Sequence, residues 1–523
     1  MQFQKAQTQE NRKYRLSLIV GATMLVALSI LTRRINHDEG QYVAAIALAR
    51  HGWPYLDYAY LQTPLQPILL SELARLPAGW LLVGLRIASG LFGLIALWML
   101  IMALDGRATQ RSTMIALAAF ICSEPFLFAS SLARNDALPM ALISATIFAL
   151  FRGLECRKSR WFAAAGLLLG LASSAKINAT VLCVPVVLFL ALRARRFGVR
   201  SLAAFVMGVV VGLLPTAVLA ALAPAQFEFD VFTYSLEAPR QWWTAIGDGG
   251  SLQSHIRILR LLLIAFQGCA FVGLVAAAID RRRSDHLLLL DLLIIGALVA
   301  AYLPQPAFTQ YMIPLLPPVA ARLAMAIDGL PCRFRRAWIP LLAAFSLAGL
   351  FQTAKSVAQI TTNGNSLANA VAQGRLAAMA AAGQPIVTLS PERVAGSDTA
   401  LDRGFVTGPF LFRTSGRLGR DAMRLGYSPT WQRVDAALDA RQPPVILTGG
   451  EPEPYPPFLA DGLDAPLASW ARHHRYERIG LPGGVTLWER CPTPEIVVHE
   501  LKFNCRRDVR NSESVAEMKA TTQ

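Results

Sequence analysis

Apolar residues along the chain fall in blocks of about 17 to 25, separated by short polar loops; a helix of that length crosses a hydrocarbon core. The blocks predict about eleven membrane spans. These are 14–32, 80–104, 112–131, 136–151, a hairpin of two shorter segments within 161–193, then 201–222, 256–279, 286–303, 308–327 and 337–353. The first block is long and runs into Arg33 and Arg34 with no small-residue cleavage site, so it reads as a retained span. Two long polar segments interrupt the series, 33–79 and 225–255. The first carries amphipathic helical pieces, GQYVAAIALARHG and PLQPILLSELARL. From residue 355 the pattern changes. QPIVTLS, PPVILTGG and GVTLWER read as short strands and VDAALDARQ as a helix, which predicts a small α/β domain. The expected organisation is a transmembrane domain over 1–354, an α/β domain over 355–505 and a disordered, charged tail over 506–523.

Charge adds topology to this picture. The 523 residues are 54% hydrophobic and 16% charged, with a net charge of +16. Such an excess suggests nucleic acid, but the basic residues gather in loops such as Arg193, Arg195, Arg196 and Arg200, or Arg281, Arg282 and Arg283. Basic clusters between spans mark cytoplasmic loops, and no surface interleaves basic and aromatic residues as nucleic-acid binders do. The expected arrangement has a cytoplasmic N-terminus and a C-terminal domain outside, in a bacterial inner membrane. The seven cysteines show no CxxC and no zinc-like spacing. Cys491 and Cys505, in the polar part, are free to pair if that part is outside, and the sequence leaves the question open.

On this topology the unusual polar residues share the outer side. Asp38 and Glu39 follow the first span, Arg134 and Asp136 the third, and Lys176 sits at the hairpin tip. Glu237, Arg240, Trp242 and Trp243 lie in 225–255, and Gln310 and Tyr311 at the mouth of 308–327. Each has an ordinary explanation: solvated acids past a span, a helix-capping Asp136, a snorkelling Lys176, interfacial tryptophans. Arg86 and Asp291 lie within spans without evident partners. As a set, the outer residues fit transfer of a sugar from a lipid phosphate. A carboxylate can take a proton from an acceptor hydroxyl, lysine and arginine can hold a departing phosphate, and aromatics can line a groove for sugar and lipid. No P-loop, GxSxG or HExxH motif supports nucleotide, serine or zinc hydrolysis.

The chain resembles the C-type (GT-C) membrane glycosyltransferases, in the branch of the protein O-mannosyltransferases and the bacterial aminoarabinose and galacturonosyl transferases of lipid A. The carrying stretches are NHDEGQY (36–42), ARNDALP (133–139), GLASSAKINATVLCVP (170–185), QYMIPLLPPVAARLA (310–324) and VTLSPERVAGSDTALDRGFVTGPFLFR (387–413). The resemblance implies an inverting transfer of a hexosyl or pentosyl group from a polyprenyl-phosphate sugar to a lipid, glycan or protein acceptor. It implies Asp38 as catalytic carboxylate with Glu39 beside it, Asp136 as the second acid, and Lys176 near the donor phosphate; Arg134 and Arg240, from the outer-side set itself, are further candidates to hold that phosphate. His37, Tyr42, Tyr311 and Trp242 are the candidate substrate contacts, and Tyr311 with Pro314 matches the late Tyr-and-Pro segment. Some relatives hold a divalent metal on such acids, so a metal at Asp38 and Asp136 stays open, and no other cofactor is expected. The segment 225–255 has no match in the family pattern. The main rival is a transporter or flippase of lipid-linked glycans, which would want charges buried mid-span and paired broken helices; the other is a noncatalytic scaffold.

Overall fold

The computed structural model of the chain describes residues 2–329, 332–427, 429–452 and 461–490. Cys491, Cys505 and the 506–523 tail lie outside the described residues. Among those described, six helices are long and apolar enough to cross a membrane, and up to eight spans result if each of two bent helix pairs counts once. The chain is a multi-pass membrane protein carrying a small C-terminal sheet domain.

The first half runs α1 (Gln2–Thr32), α2 (Glu39–Leu48), α3 (Leu65–Leu70), α4 (Trp80–Leu104), α5 (Gln110–Ile121), α6 (Glu124–Ser131), α7 (Ala137–Cys156), α8 (Ser159–Ala175) and α9 (Cys183–Leu192). α4 is uninterrupted because WLLVGLRIASGLFGLIALWMLIMAL contains no proline and is dominated by helix-compatible apolar residues. The block at 112–131, expected as one span, is instead α5 and α6, bent by 61°. The block at 256–279 is likewise broken, into Ser254–Ala265 and Ala270–Ile279, bent by 95°. The two breaks interlock. Gly268, at φ +146°, leaves no room for a side chain against Ser123, the Glu124 N–H donates to the Gln267 carbonyl at 2.9 Å, and the Cys269 N–H donates to Ser123 Oγ at 3.1 Å. Backbone groups freed by each bend thus find partners in the other, which is what broken helices require inside a membrane.

The hairpin at 161–193 is α8 and α9 joined by a 3₁₀ turn at Ile177–Leu182, with Lys176 at the C-cap of α8. α8 packs on the Val199–Leu222 helix through glycines on both sides. A Cβ at Gly170 would stand 2.4 Å from the Val209 carbonyl oxygen, and one at Gly212 2.4 Å from that of Leu167. Gly166 and Gly170 on one helix, and Gly208 and Gly212 on the other, are small-xxx-small pairs that let membrane helices approach to backbone contact. This contact fixes the helix that carries Lys176.

The mid-span charges that read as unpartnered are paired. Arg86 of α4 binds Glu39 at 2.9 and 2.7 Å, and Arg322 binds Asp291 at 2.7 Å and Asp280 at 2.8 Å. The sequence hid these pairs because their members lie tens of residues apart, on different elements.

The helix Cys332–Asn363 runs through residue 355 and is followed by Ser366–Ala381, which leads into the sheet. Five strands form it: β1 (Pro385–Thr388), β2 (Ala400–Leu401), β3 (Val445–Thr448), β4 (Glu477–Gly480) and β5 (Thr486–Glu489), in the order β2-β1-β3-β5-β4. β1 pairs parallel with β2 and β3, and β5 pairs antiparallel with β3 and β4. β1, β3 and β5 are the strands read from sequence, and the helix Val434–Arg441 precedes β3 as expected. β2, two residues long, and the largely exposed ERIG of β4 lack the apolar signal. The 225–255 segment is itself helical, with a π-helical turn at Glu228–Thr233 and a helix at Tyr234–Ala245.

The sheet domain rests on the first polar segment. Tyr42, Tyr55, Tyr58 and Tyr60 are buried with Phe229, Val231, Val406, Phe410 and Leu411 in one apolar cluster. Trp53, in the same segment, is exposed. The tyrosines form a core that joins the 33–79 and 225–255 segments to the C-terminal domain.

Candidate active site

The carboxylates meet through one arginine. Asp38 is the N-cap residue of α2, Asp136 that of α7, and Arg134 lies two residues before Asp136 on the turn that follows α6. Arg134 Nη1 donates to Asp38 Oδ2, and Arg134 Nε donates to Asp136 Oδ2 at 2.9 Å. Lys176 Nζ donates to Asp136 Oδ1. The result is a chain, Asp38–Arg134–Asp136–Lys176, contributed by three segments that are far apart in sequence. Asp136 is fully buried and Arg134 and Lys176 nearly so, while Asp38 keeps about a fifth of its side chain exposed. Solvation and snorkelling therefore do not account for these residues.

His37 Nε2 lies 3.0 Å from Asp38 Oδ1. Burial raises the Asp38 pKa, but Arg134 and His37 outweigh it and hold the carboxyl well below its ordinary value. For His37 burial lowers the pKa, and Asp38 more than offsets this, leaving it raised. Tyr42 stands with its ring centroid 5.8 Å from the Arg134 guanidinium carbon, a cation–π contact. Tyr311 packs on Phe308 at the start of the Thr309–Leu315 turn, 6.0 Å between centroids, with Pro314 buried in the same turn.

Glu39 points elsewhere. Its carboxylate is fully buried and accepts from Arg86, from the Ala133 N–H at 2.7 Å and from the Asn36 N–H at 2.9 Å. All four bonds hold scaffold. Arg240 is exposed on the Tyr234–Ala245 helix, and among the described residues the ion pairs of Asp38 and Asp136 are with His37, Arg134 and Lys176 instead. Trp242 packs against the sheet domain, with the Arg413 guanidinium 4.1 Å from its ring centroid.

The sheet domain adds groups that the sequence reading missed. Glu392 and Glu451 are 1% and 5% exposed. A Cβ at Gly40 of α2 would stand 2.8 Å from Glu392 Oε2, so this carboxyl lies against the helix that starts at Asp38. Burial lifts the Glu392 pKa to about 7 against the pull of Arg393. Burial lifts Glu451 to about 8, opposed by His37 and reinforced by Glu392. Glu392 sits in SPERVAG, a stretch quoted for its family likeness, but nothing local to it announces burial against α2.

As a donor set for a divalent metal, Asp38 and Asp136 do not fit. Both carboxylates are committed to Arg134, Lys176 and His37, and among the described residues no three His, Cys, Asp or Glu side chains converge on a metal position.

Residues 62–221 match the dolichyl-phosphate-mannose-protein mannosyltransferase family. No match was found among curated protein sequences. Among solved structures, the chain is similar to ArnT from Cupriavidus metallidurans in the apo state, at 14% identity and a TM-score of 0.58, over 91% of this chain and 98% of that one. The same enzyme bound to undecaprenyl phosphate matches at 15% identity, a TM-score of 0.58 and the same coverage. The matched segment contains the Arg134–Asp136 turn and Lys176, and the likeness in fold extends over the sheet domain as well. Over that segment the chain matches the mannosyltransferase family by sequence, and over nearly its whole length it shares the fold of ArnT.

Proposed function

We propose that the protein transfers a sugar from a polyprenyl-phosphate carrier to a hydroxyl acceptor at the membrane face that carries the sheet domain. The observation that carries this reading is the buried Asp38–Arg134–Asp136–Lys176 chain, in which two cations sit between and beside two carboxylates at the ends of membrane helices. Arg134 and Lys176 are the groups to hold a donor phosphate, since charge-assisted bonds to phosphate oxygens are strong in a water-poor site. The ArnT complex with undecaprenyl phosphate supports a donor of that type.

In this reading the donor phosphate draws Arg134 and Lys176 partly away from the carboxylates. Asp38, released from a cation that suppresses its basicity, accepts the acceptor proton while the acceptor oxygen attacks the anomeric carbon. The bond from that carbon to the phosphate oxygen breaks with its electron pair leaving on the phosphate, and the configuration inverts. Glu39 holds α2 to α4 rather than entering the reaction, and Arg240 stays at the rim. A cytoplasmic N-terminus and an extracytoplasmic sheet domain, in a bacterial inner membrane, complete the reading. The basic loops support it.

The test is transfer in proteoliposomes from undecaprenyl-phosphoryl sugars to membrane lipid and glycan acceptors, with products identified by mass spectrometry. Asp38→Asn keeps the size and removes the base, and should lower the rate about 10²- to 10⁴-fold. A wild-type rate in that variant eliminates Asp38 as the base.

A further inference from the structure

Three buried polar atoms on the two segments beside the carboxylate chain have no hydrogen-bond partners among the described residues: Asn135 Oδ1, Gln66 Oε1 and the Tyr60 hydroxyl. Asn135 lies between Arg134 and Asp136 and is fully buried, as is Gln66 but for 3% of its surface and Tyr60 but for 1%. The amide nitrogens are used. Asn135 Nδ2 donates to the Ala175 carbonyl at 3.0 Å and to Gln62 Oε1 at 3.3 Å. Gln66 Nε2 donates to the Arg134 carbonyl at 3.0 Å. Segment 60–66 thereby lies along the 134–136 turn, and Tyr60 meets Tyr42 edge-on at 6.4 Å, with Tyr42 against Arg134. Buried polar atoms are nearly always paired in folded proteins, so three orphans on two adjoining segments next to Arg134 indicate a missing partner.

The chemistry of that partner follows from the orphans. Two are amide carbonyl oxygens, which only accept, and the third is a hydroxyl, which does both. They call for a ligand rich in O–H or N–H donors, placed next to a group that Arg134 and Lys176 can hold. We infer that Asn135, Gln66 and Tyr60 form the part of the donor site that reads the transferred sugar, accepting hydrogen bonds from its hydroxyl or ammonium groups while the neighbouring cations hold its phosphate. The inference rests on the transferase reading and adds to it the residues that separate a glycosylated carrier from a bare one. The asymmetry of polar recognition gives such a site its selectivity, because a ligand lacking the donors leaves the buried oxygens unpaired.

The experiment measures binding of two lipids, undecaprenyl phosphate and undecaprenyl-phosphoryl hexose, to the full chain in nanodiscs, and takes the ratio of the two affinities. Wild type should favour the glycosylated lipid. Gln66→Met and Asn135→Leu should each lower the ratio about tenfold, the scale of one lost hydrogen bond in a desolvated site. Gln66→Glu and Asn135→Asp keep an acceptor oxygen in place and should keep most of the ratio, even where the added charge weakens both lipids together. An unchanged ratio in Gln66→Met and Asn135→Leu overturns the inference, as does an equal fall in the acceptor-keeping variants. A wild type that binds both lipids equally overturns the inference and leaves the transferase reading standing. A wild type that binds neither overturns both.

Discussion

Glu39 and Arg86 offer a sharp test, because sequence places Glu39 in the chemistry while the structure surrounds it with scaffold bonds. The perturbation is Arg86→Met, Glu39→Gln and the double variant. Both side chains are fully buried, and they share two bonds, at 2.9 and 2.7 Å. Arg86 Nη1 also donates to the Arg33 carbonyl at 2.9 Å. Removing one partner of a buried pair leaves an uncompensated charge and costs about 3–5 kcal/mol. Arg86→Met should therefore destabilise by about that much, since Glu39 keeps only the two backbone N–H donors of Asn36 and Ala133. Glu39→Gln should cost a similar amount by stranding the guanidinium. The double variant removes both charges and should be more stable than the sum of the singles predicts, with a coupling of about 2–3 kcal/mol. The assay is unfolding of the detergent-solubilised chain, followed by transfer rates at a temperature where each variant is folded. If Glu39→Gln keeps the wild-type melting temperature yet loses transfer as Asp38→Asn does, the assignment of Glu39 to scaffold is refuted.

Three further outcomes are expected. Lys176→Met, which removes one of the two cations on Asp136, should weaken undecaprenyl phosphate binding at least about tenfold by loss of one charge-assisted contact; equal affinity in a lipid-binding assay would remove Lys176 from the phosphate site. Gly212→Leu should drive the Val199–Leu222 helix off α8, because its first side-chain carbon already meets the Leu167 carbonyl oxygen at 2.4 Å, and aggregation or a large fall in melting temperature should follow. The third concerns pH. Glu392 and Glu451 are lifted to about 7 and about 8, so the folded state binds more protons than the unfolded chain between their ordinary value and those values. Their contribution to stability is complete below about pH 4.5 and is lost as pH rises through about 7 and 8. The melting temperature should accordingly fall from pH 5 to 9, and Glu392→Gln with Glu451→Gln should flatten that slope.

What was legible from sequence divides along physical lines. Long apolar blocks such as 80–104 and 201–222 announce themselves, since hydropathy over some twenty residues is a local property. So do β1, β3 and β5, whose apolar runs are bounded by turns. The bend at Cys122–Ser123 had a local signal in Pro125, in the first turn of α6, whereas the one at Gln267–Cys269 has no proline, and the contact between the two bends, across 146 positions, is not a local property. The same holds for the site. Asp38, Asp136 and Lys176 could be picked out one by one as polar residues at the ends of apolar blocks. Their convergence on Arg134 is a tertiary fact, and so is the diversion of Glu39, the immediate neighbour of Asp38, to Arg86. A helix start turns adjacent residues in different directions, and that separates two acids which sequence presents as a pair.

The state of Asp38 shows why the carboxylates are buried among cations. A solvated aspartate would be ionised near neutrality but no better a base than any other surface acid. Held by Arg134 and His37 it is a poorer base still, and yet it is kept ionised, in the proposed reaction beside the acceptor hydroxyl. The Arg134 guanidinium has two carboxylates to satisfy and Asp136 has two cations. In the proposed reaction an incoming phosphate would compete for Arg134 and Lys176 together, so that occupation of the donor site would change the charge around Asp38 without any movement of the backbone. Basicity at Asp38 would then rise only when a phosphate donor is bound, which couples proton removal to donor occupancy and suppresses reaction with water in its absence. The pH dependence of transfer checks this. The acid limb measured with saturating donor should lie above that of donor-free Asp38 titration followed by carboxylate infrared spectroscopy. If the two coincide, the donor phosphate does not draw Arg134 from Asp38, and another group takes the proton.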